Sequence, residues 1–247
     1  GGERLSLTAH IADDTRFEAE DIPLDVVYED DDVLVVNKPP GLVVHPAAGN
    51  PDGTLLNALL HHFPDAATLP RAGIVHRLDK DTSGVVLVAK NEIAHRTLAR
   101  QFKSREIKKT YLTLVRGLVK STSGIIETSV GRHKTSRKKM TADADWGRQA
   151  QTRYEVLETL GHFSYLKVFP KTGRTHQIRV HLASIHHPVL GDKLYGGKIT
   201  EQHIQMARQA LHAHRIEIIH PCNKKRLTFE APVPPDITSY LIKYRQN

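Results

Sequence analysis

The chain has 247 residues, 39% hydrophobic and 25% charged, enough to bury a substantial core as one large domain or two small ones. Its 35 lysines and arginines against 27 aspartates and glutamates give a formal charge of +8, which suits a polyanionic partner such as nucleic acid and disfavours an acidic one. A single cysteine, Cys222, excludes an intrachain disulfide and fits a reducing, cytoplasmic compartment, and no apolar run approaches the roughly 18 to 20 residues of a membrane span.

Residues 4–11 alternate as a strand does, and Asp13 to Glu20 follow as an acidic linker. Val26-Val27-Tyr28 and Val33 to Val36 flank Glu29-Asp30-Asp31-Asp32 and predict a hairpin, because β-branched residues favour strands and acidic residues suit turns. Pro39-Pro40-Gly41 then stops the pairing, since proline has no ladder donor. Leu55 to Leu60, behind Asp52 and Thr54, predict a capped helix; Asn91 to Phe102 predict a second, with Ala94, Leu98 and Phe102 on one stripe. Between them the polar run His76 to Gly84 leads straight into Val85-Val86-Leu87-Val88, a loop held by a buried strand. Further β-rich segments lie at 110–116, 124–130, 152–158, 163–169, 213–219 and 226–230. The fold class expected is α+β, a mixed and mainly antiparallel sheet core with flanking helices.

Two segments bear on partners. Arg132-His133-Lys134-Thr135-Ser136-Arg137-Lys138-Lys139 holds six basic or imidazole side chains in eight residues with no apolar anchor, and predicts a mobile loop. The 16 histidines invite zinc, but with one cysteine and no His-Glu-x-x-His pattern they form no ligand frame, so no metal site is expected. His61-His62, His186-His187 and His212-Ala213-His214 read instead as surface, packing or RNA-contacting groups.

In His76-Arg77-Leu78-Asp79-Lys80-Asp81-Thr82-Ser83-Gly84 two carboxylates alternate with cations, which on composition alone describes a solvated turn. The run resembles the catalytic motif of the RluA-type pseudouridine synthases, which isomerise selected uridines in structured RNA. Lys109-Thr110-Tyr111-Leu112-Thr113-Leu114-Val115 resembles that family's tyrosine motif, and Gly173-Arg174-Thr175-His176-Gln177-Ile178-Arg179-Val180-His181 its arginine motif. Gly49 to Thr54 and Arg71 to Val75 are similar to the branch that acts on the helix 69 stem-loop of large-subunit ribosomal RNA. The resemblance spans residues 22–235. It implies a pseudouridine synthase catalytic domain over 21–247, with residues 1–20 as the end of a truncated S4-like RNA-binding domain and its linker.

The implied reaction breaks the bond between ribose C1′ and uracil N1, turns the base and rejoins it through C5. It needs no cofactor. The resemblance makes Asp79 the nucleophile at the sugar or the base that removes a ribose proton, as carboxylates serve oxocarbenium-like centres elsewhere; Asp81 reads as structural. Asp79 must stay ionised in a pocket that excludes water, which a guanidinium achieves. Arg179 is preferred for that pairing over Arg174, which sits at a turn before a helix that Thr175 could cap and which can face phosphate. Tyr111 completes the catalytic set, its ring placed to stack on uracil. Arg77 is expected to enter the RNA stack where the uridine leaves it. His76, Lys80, Arg174 and His176, with Arg132, Lys134, Arg137, Lys138 and Lys139, are expected to contact RNA. The partner implied is a structured stem-loop of 23S ribosomal RNA or the large-subunit particle, met by a monomer away from any membrane. A non-catalytic RNA-binding or ribosome-assembly factor would account for the charge and the 132–139 loop, but not for three ordered motifs.

Overall fold

The structure, a computed structural model, describes residues 17–47, 49–136, 138–197 and 206–245. The strand expected over 4–11, most of the 1–20 segment and Arg137 lie outside them.

Strands β1 (Val26–Glu29) and β2 (Val33–Lys38) form the expected hairpin. Asp30 closes its turn by accepting from the amides of Asp32 and Val33 at 2.9 and 2.8 Å. Helix α1 (Leu55–His62) begins at Thr54, whose amide donates to Asn57 Oδ1 at 3.1 Å. Strand β3 (Ser83–Ala89) follows, then α2 (Glu92–Ser104), capped by Asn91, whose Oδ1 accepts from the Ala94 amide at 2.8 Å. Next come β4 (Lys108–Arg116), β5 (Ser123–Arg132), β6 (Met140–Ala142), β7 (Arg148–Leu160), β8 (Phe163–Pro170), α3 (Gln177–Ser184), β9 (Leu211–Ile219), β10 (Arg226–Glu230) and α4 (Pro235–Arg245). None of the described helices is long and apolar enough to cross a membrane.

The strands form one sheet in the order β1-β2-β3-β9-β4-β8-β7-β5-β6, with β10 paired to β9 beside that path. Every strand pair is antiparallel except β3 with β9, which meet over Ser83–His212 and Gly84–Ala213. That short parallel contact joins the two halves of the sheet, and Gly84 is required there. Its φ is +111°, and a Cβ would lie 2.2 Å from the Ala213 carbonyl oxygen.

β3 reads as a continuous apolar run because both of its faces are covered. Val86 and Val88 join Leu34, Val36, Leu55 and Leu59 on the α1 side; Val85, Leu87 and Ala89 join Ala94, Leu98, Ile216 and Phe229 on the α2 side. Each fully buried Val or Leu contributes roughly 1.5–3 kcal/mol. A third cluster, centred on Leu114, Phe163, Leu166 and Leu182, fills the space between the far half of the sheet, α3 and α4. The result is a stiff, doubly covered strand immediately after the polar loop at 75–82.

The 132–139 segment, described except for Arg137, runs between two strands. It is the connection of the β5–β6 hairpin, closed by hydrogen bonds from the His133 amide to the Lys139 carbonyl and from the Lys139 amide to the Ser136 carbonyl, both 3.0 Å. It also has an apolar anchor: the Lys134 ammonium lies 4.5 Å from the centre of the Trp146 ring, whose Nε1–H donates to the Arg132 carbonyl at 3.1 Å. Trp146 lies beyond the charged run, so its composition could not reveal the anchor.

Candidate active site

The loop carrying Asp79 is gripped from several sides. Leu78 is buried in the α1-side core, so its neighbour Asp79 points the other way, into a cleft of about 530 Å³. The Thr82 amide donates to the Asp79 carbonyl at 3.0 Å, making a tight turn. Lys38 Nζ donates to the carbonyls of Pro39, Leu42 and Lys80 at 2.7, 2.9 and 2.9 Å. Burial pulls the pKa of Lys38 down to about 7, opposed by nearby Asp81. With three carbonyls accepting its three protons, the ammonium is nonetheless the form the geometry fits. Arg208 donates to the Asp81 carbonyl at 3.0 Å, and Gln209 to Thr82 Oγ1 at 3.1 Å. Asp81 thus serves the loop through its backbone, consistent with a structural reading.

Arg179 enters from α3 and is buried between two carboxylates. Nη1 donates to Asp79 Oδ2 at 2.9 Å, while Nε and Nη2 donate to the two oxygens of Asp192 at 2.6 and 2.9 Å. Asp192 also accepts from the amides of Leu194 and Tyr195 at 2.9 and 3.1 Å. Burial would discharge Arg179; these hydrogen bonds, led by those to Asp192, instead hold its pKa above the ordinary arginine range. Arg174 makes no such pair. Its Nε and Nη2 face the Gln149 carbonyl at 3.3 and 3.4 Å on the cleft rim.

The cap expected from Thr175 is absent, and the side chain is exposed. The N-terminal turn of α3 is fixed by Gln177 instead. Its Oε1 accepts from Thr172 Oγ1 at 2.7 Å and the Arg174 amide at 3.0 Å, and its Nε2 donates to the Gln151 carbonyl at 3.0 Å and Thr152 Oγ1 at 2.9 Å. A buried amide with four partners outcompetes an exposed hydroxyl.

Tyr111 is half-buried in the cleft, re-aimed by a bulge between Thr110 and Tyr111 in the β4–β9 pairing. Burial first, then the charge of Asp79, raises the pKa of its phenol, so the proton is retained. His176 has φ +55° at the start of α3; its Nε2 lies 4.0 Å from Asp79 Oδ2, and its Nδ1 2.9 Å from the Tyr195 hydroxyl.

The structure therefore brings Asp79, Tyr111, Arg179, His176, Arg174, Arg77 and His76 around one cleft. Arg77 is exposed at its edge, whereas Lys80 is exposed but is not among the residues lining it. His76, expected among the RNA contacts, lines the cleft as a neutral ring. Its Nε2 accepts from the Leu87 amide at 2.8 Å, its ring stacks on Phe102 at 4.9 Å, and burial drops its pKa to about 3. An uncharged ring with its acceptor engaged braces the loop and offers no cation. Arg132, Lys134 and Lys138 are exposed, with Lys139 half-buried, on the β5–β6 hairpin.

Asp192, Tyr195, Lys38 and Lys109 were not singled out from sequence. Lys109 lines the cleft beside Tyr111, and burial lowers its pKa to about 8; its Nζ reaches the Thr172 carbonyl only at 3.4 Å.

Among the described residues one group has metal-like spacing, Asp30, Asp32 and His220. His220 Nδ1 accepts from the amides of Cys222 and Asn223 at 3.3 and 3.2 Å, so Nε2 carries the proton, donated to Asp30 at 2.9 Å. The lone pair a cation needs is turned toward the backbone, and the group reads as a turn lock.

Residues 32–184 match the family described as RNA pseudouridylate synthase. The chain is 47% identical to ribosomal large subunit pseudouridine synthase D of Vibrio parahaemolyticus, over 97% of its own length and 76% of that protein. It is 46% identical to the protein of the same name from Salmonella typhimurium, over 98% of its length and 76% of that protein. Among solved structures, human RNA pseudouridylate synthase domain containing 1 superposes with a TM-score of 0.70 at 29% identity, over 91% of this chain and 96% of that one. Human RNA pseudouridylate synthase domain containing 4 shares the fold, with a TM-score of 0.70 at 21% identity over 89% and 92%. With a family match across more than half of its length and relatives nearly half identical over almost all of it, the chain belongs to the RNA pseudouridylate synthase family and is an RNA pseudouridine synthase.

Proposed function

We propose that this enzyme isomerises uridines of large-subunit ribosomal RNA, in the helix 69 stem-loop, with Asp79 as the nucleophile at ribose C1′. The observation that carries the reading is the Arg179 bridge, which supplies a buried cation 2.9 Å from the Asp79 carboxylate in a cleft large enough for a nucleoside. The carboxylate can remain ionised out of water there, as a nucleophile must. Its attack at C1′ forms a covalent ester and releases N1; after the base turns, C5 bonds to C1′ as the Asp79–C1′ bond breaks and frees the carboxylate, the C5 proton leaves and N1 gains one, so the product is an isomer. Tyr111, its phenol protonated, packs against the uracil ring. Arg77, exposed at the rim, fills the stack vacated by the flipped base.

The names of the relatives support the large-subunit substrate. For the stem-loop, the support is the resemblance at 49–54 and 71–75.

The test is Asp79→Asn against Asp81→Asn on helix 69 RNA, read by carbodiimide-dependent primer extension with RNA affinity measured in parallel. Asp79→Asn should lose pseudouridine formation with affinity retained, and Asp81→Asn should be far milder. Turnover of Asp79→Asn within tenfold of wild type, or the reverse ranking, would overturn the assignment. Binding without isomerisation by the wild-type chain would favour an assembly factor.

A further inference from the structure

We infer that Tyr195 is a positioning residue that locks His176 in its neutral, Nε2-protonated tautomer, so that a fixed uncharged donor faces the substrate beside Asp79. The inference rests on the reading of Asp79 as the reacting carboxylate, but its central measurement does not.

The geometry points to one tautomer. The Tyr195 hydroxyl has two partners among the described residues: it accepts from the Met140 amide at 2.8 Å and lies 2.9 Å from His176 Nδ1. The amide can only donate. The phenol's own proton therefore goes to Nδ1, the acceptor within reach, and burial raises the phenol's pKa so that this proton is kept. With Nδ1 accepting, Nε2 must carry the imidazole proton. Nε2 lies 4.0 Å from Asp79 Oδ2, too far for a direct hydrogen bond and correctly placed to donate to a ribose hydroxyl or uracil carbonyl lying beside the carboxylate.

Charge is set by the same surroundings. Burial disfavours the imidazolium; Asp79 and Asp192 favour it, while Arg179 and Arg77 oppose it, and the net effect lowers the His176 pKa. Tyr195 adds edge contact, its ring T-shaped to His176 at 5.8 Å and 5.1 Å from the Arg179 guanidinium. Its own amide is held by Asp192, the carboxylate that also holds Arg179. One residue thus touches His176, the Arg179–Asp192 pair and the first residue of β6. Seating of the basic β5–β6 hairpin, through the Met140 amide, is part of what fixes the donor next to Asp79.

The experiment combines spectroscopy and kinetics on Tyr195→Phe, His176→Gln and the double variant, with the full chain and helix 69 RNA. Long-range ¹H–¹⁵N spectra, with His176 assigned by its loss in His176→Gln, should show an unprotonated Nδ1 and protonated Nε2 in wild type, and a tautomer mixture in Tyr195→Phe. Single-turnover rate at saturating enzyme should fall about tenfold in Tyr195→Phe, with RNA Kd within twofold of wild type. Gln keeps an N–H near the Nε2 position without tautomers, so adding Tyr195→Phe to His176→Gln should change the rate less than twofold. A wild-type Nδ1–H tautomer, or a Tyr195→Phe penalty of equal size in both backgrounds, would overturn the proposal even if Asp79 is the nucleophile. An active Asp79→Asn variant with the predicted tautomer would sink the Asp79 reading alone. If Tyr195→Phe loses rate only in proportion to unfolded protein, measured by circular dichroism, the residue is merely structural and the inference fails.

Discussion

Replacing Asp192 by alanine should damage this protein more than replacing Asp79. Four donors converge on the Asp192 carboxylate, the Arg179 Nε and Nη2 groups at 2.6 and 2.9 Å and the amides of Leu194 and Tyr195 at 2.9 and 3.1 Å. Removing one partner of a buried ion pair costs about 3–5 kcal/mol, mostly because the survivor is left uncompensated. Arg179 would keep Asp79 at 2.9 Å, so the lower end, about 3 kcal/mol, applies. At about 2–4 °C per kcal/mol for a domain of this size, Asp192→Ala should melt roughly 6–12 °C below wild type. Asp79 is different: its side chain is 22% exposed, and its removal leaves Arg179 bidentate on Asp192. Asp79→Ala should cost under about 1 kcal/mol, hence less than about 4 °C, while abolishing turnover. Thermal denaturation followed by circular dichroism, with single-turnover assays on the same preparations, measures both. If Asp79→Ala destabilises more than Asp192→Ala, Asp192 is not what holds Arg179 in place and the reasoning fails.

Lys109 should make RNA binding pH-sensitive. Burial depresses its pKa to about 8, so its charge is present below that pH and lost above it; wild-type affinity should drop as pH rises through about 8, and Lys109→Met should be weaker at neutral pH and flat across that range. An unchanged profile in Lys109→Met would remove it from the RNA contacts. Replacing Arg132, Lys134, Arg137, Lys138 and Lys139 with alanine should lower the slope of log K against log salt by up to about 0.9 for each phosphate no longer neutralised, without changing which uridine is modified. Lys134, stacked on Trp146, should contribute least, and altered site choice would show that the hairpin reads sequence. Arg77→Ala should instead slow bound RNA more than it weakens binding, and a purely affinity effect would rule out its role in flipping.

The sequence disclosed what is local. Asn91 capping α2, the acidic turn between β1 and β2, and the doubly covered Val85–Val88 run each carry their signal within a dozen residues, and each stands where composition puts it. β6, three residues long, carries no such signal, whereas α4 carries one that went unread, with Ile237, Tyr240, Leu241 and Tyr244 at i, i+3, i+4 and i+7 facing the core. Thr175 misled because propensity favours a hydroxyl at a helix start, whereas Gln177 gains two partners on β7 that only the folded chain supplies. Arg179 was legible from its motif, but its principal partner was not. Asp192 lies 13 residues on, in a loop without periodicity, and only the turn back across α3 sets it against the guanidinium. Tyr195 escaped for the same reason, its partner His176 lying 19 residues back, and Lys38 in part, since one of its three acceptors, the Lys80 carbonyl, lies 42 residues on.

These long-range contacts give the cleft a charge order that the composition conceals. The protein as a whole is basic, yet its innermost group, Asp79 and Asp192 around Arg179, carries two negative charges against one positive, with His176 neutral beside it. Further cations line the cleft: Arg77, Lys103, Arg105, Lys171 and Arg174, with Lys109 buried beside Tyr111. A phosphate approaching the centre meets a carboxylate, while at the rim it meets guanidinium and ammonium groups. On the proposed mechanism, the same arrangement would sort a flipped nucleoside, its charged backbone held at the edge and its uncharged base and sugar admitted to Asp79. A protonated His176 would cancel the inner negative charge and weaken that sorting, which is why a neutral donor suits the position better than a third cation. If Asp79 is the nucleophile proposed above, Asp192 has a second role, since without it the centre would be an electrically balanced Arg179–Asp79 pair, the carboxylate held by the whole guanidinium and correspondingly less free to attack carbon.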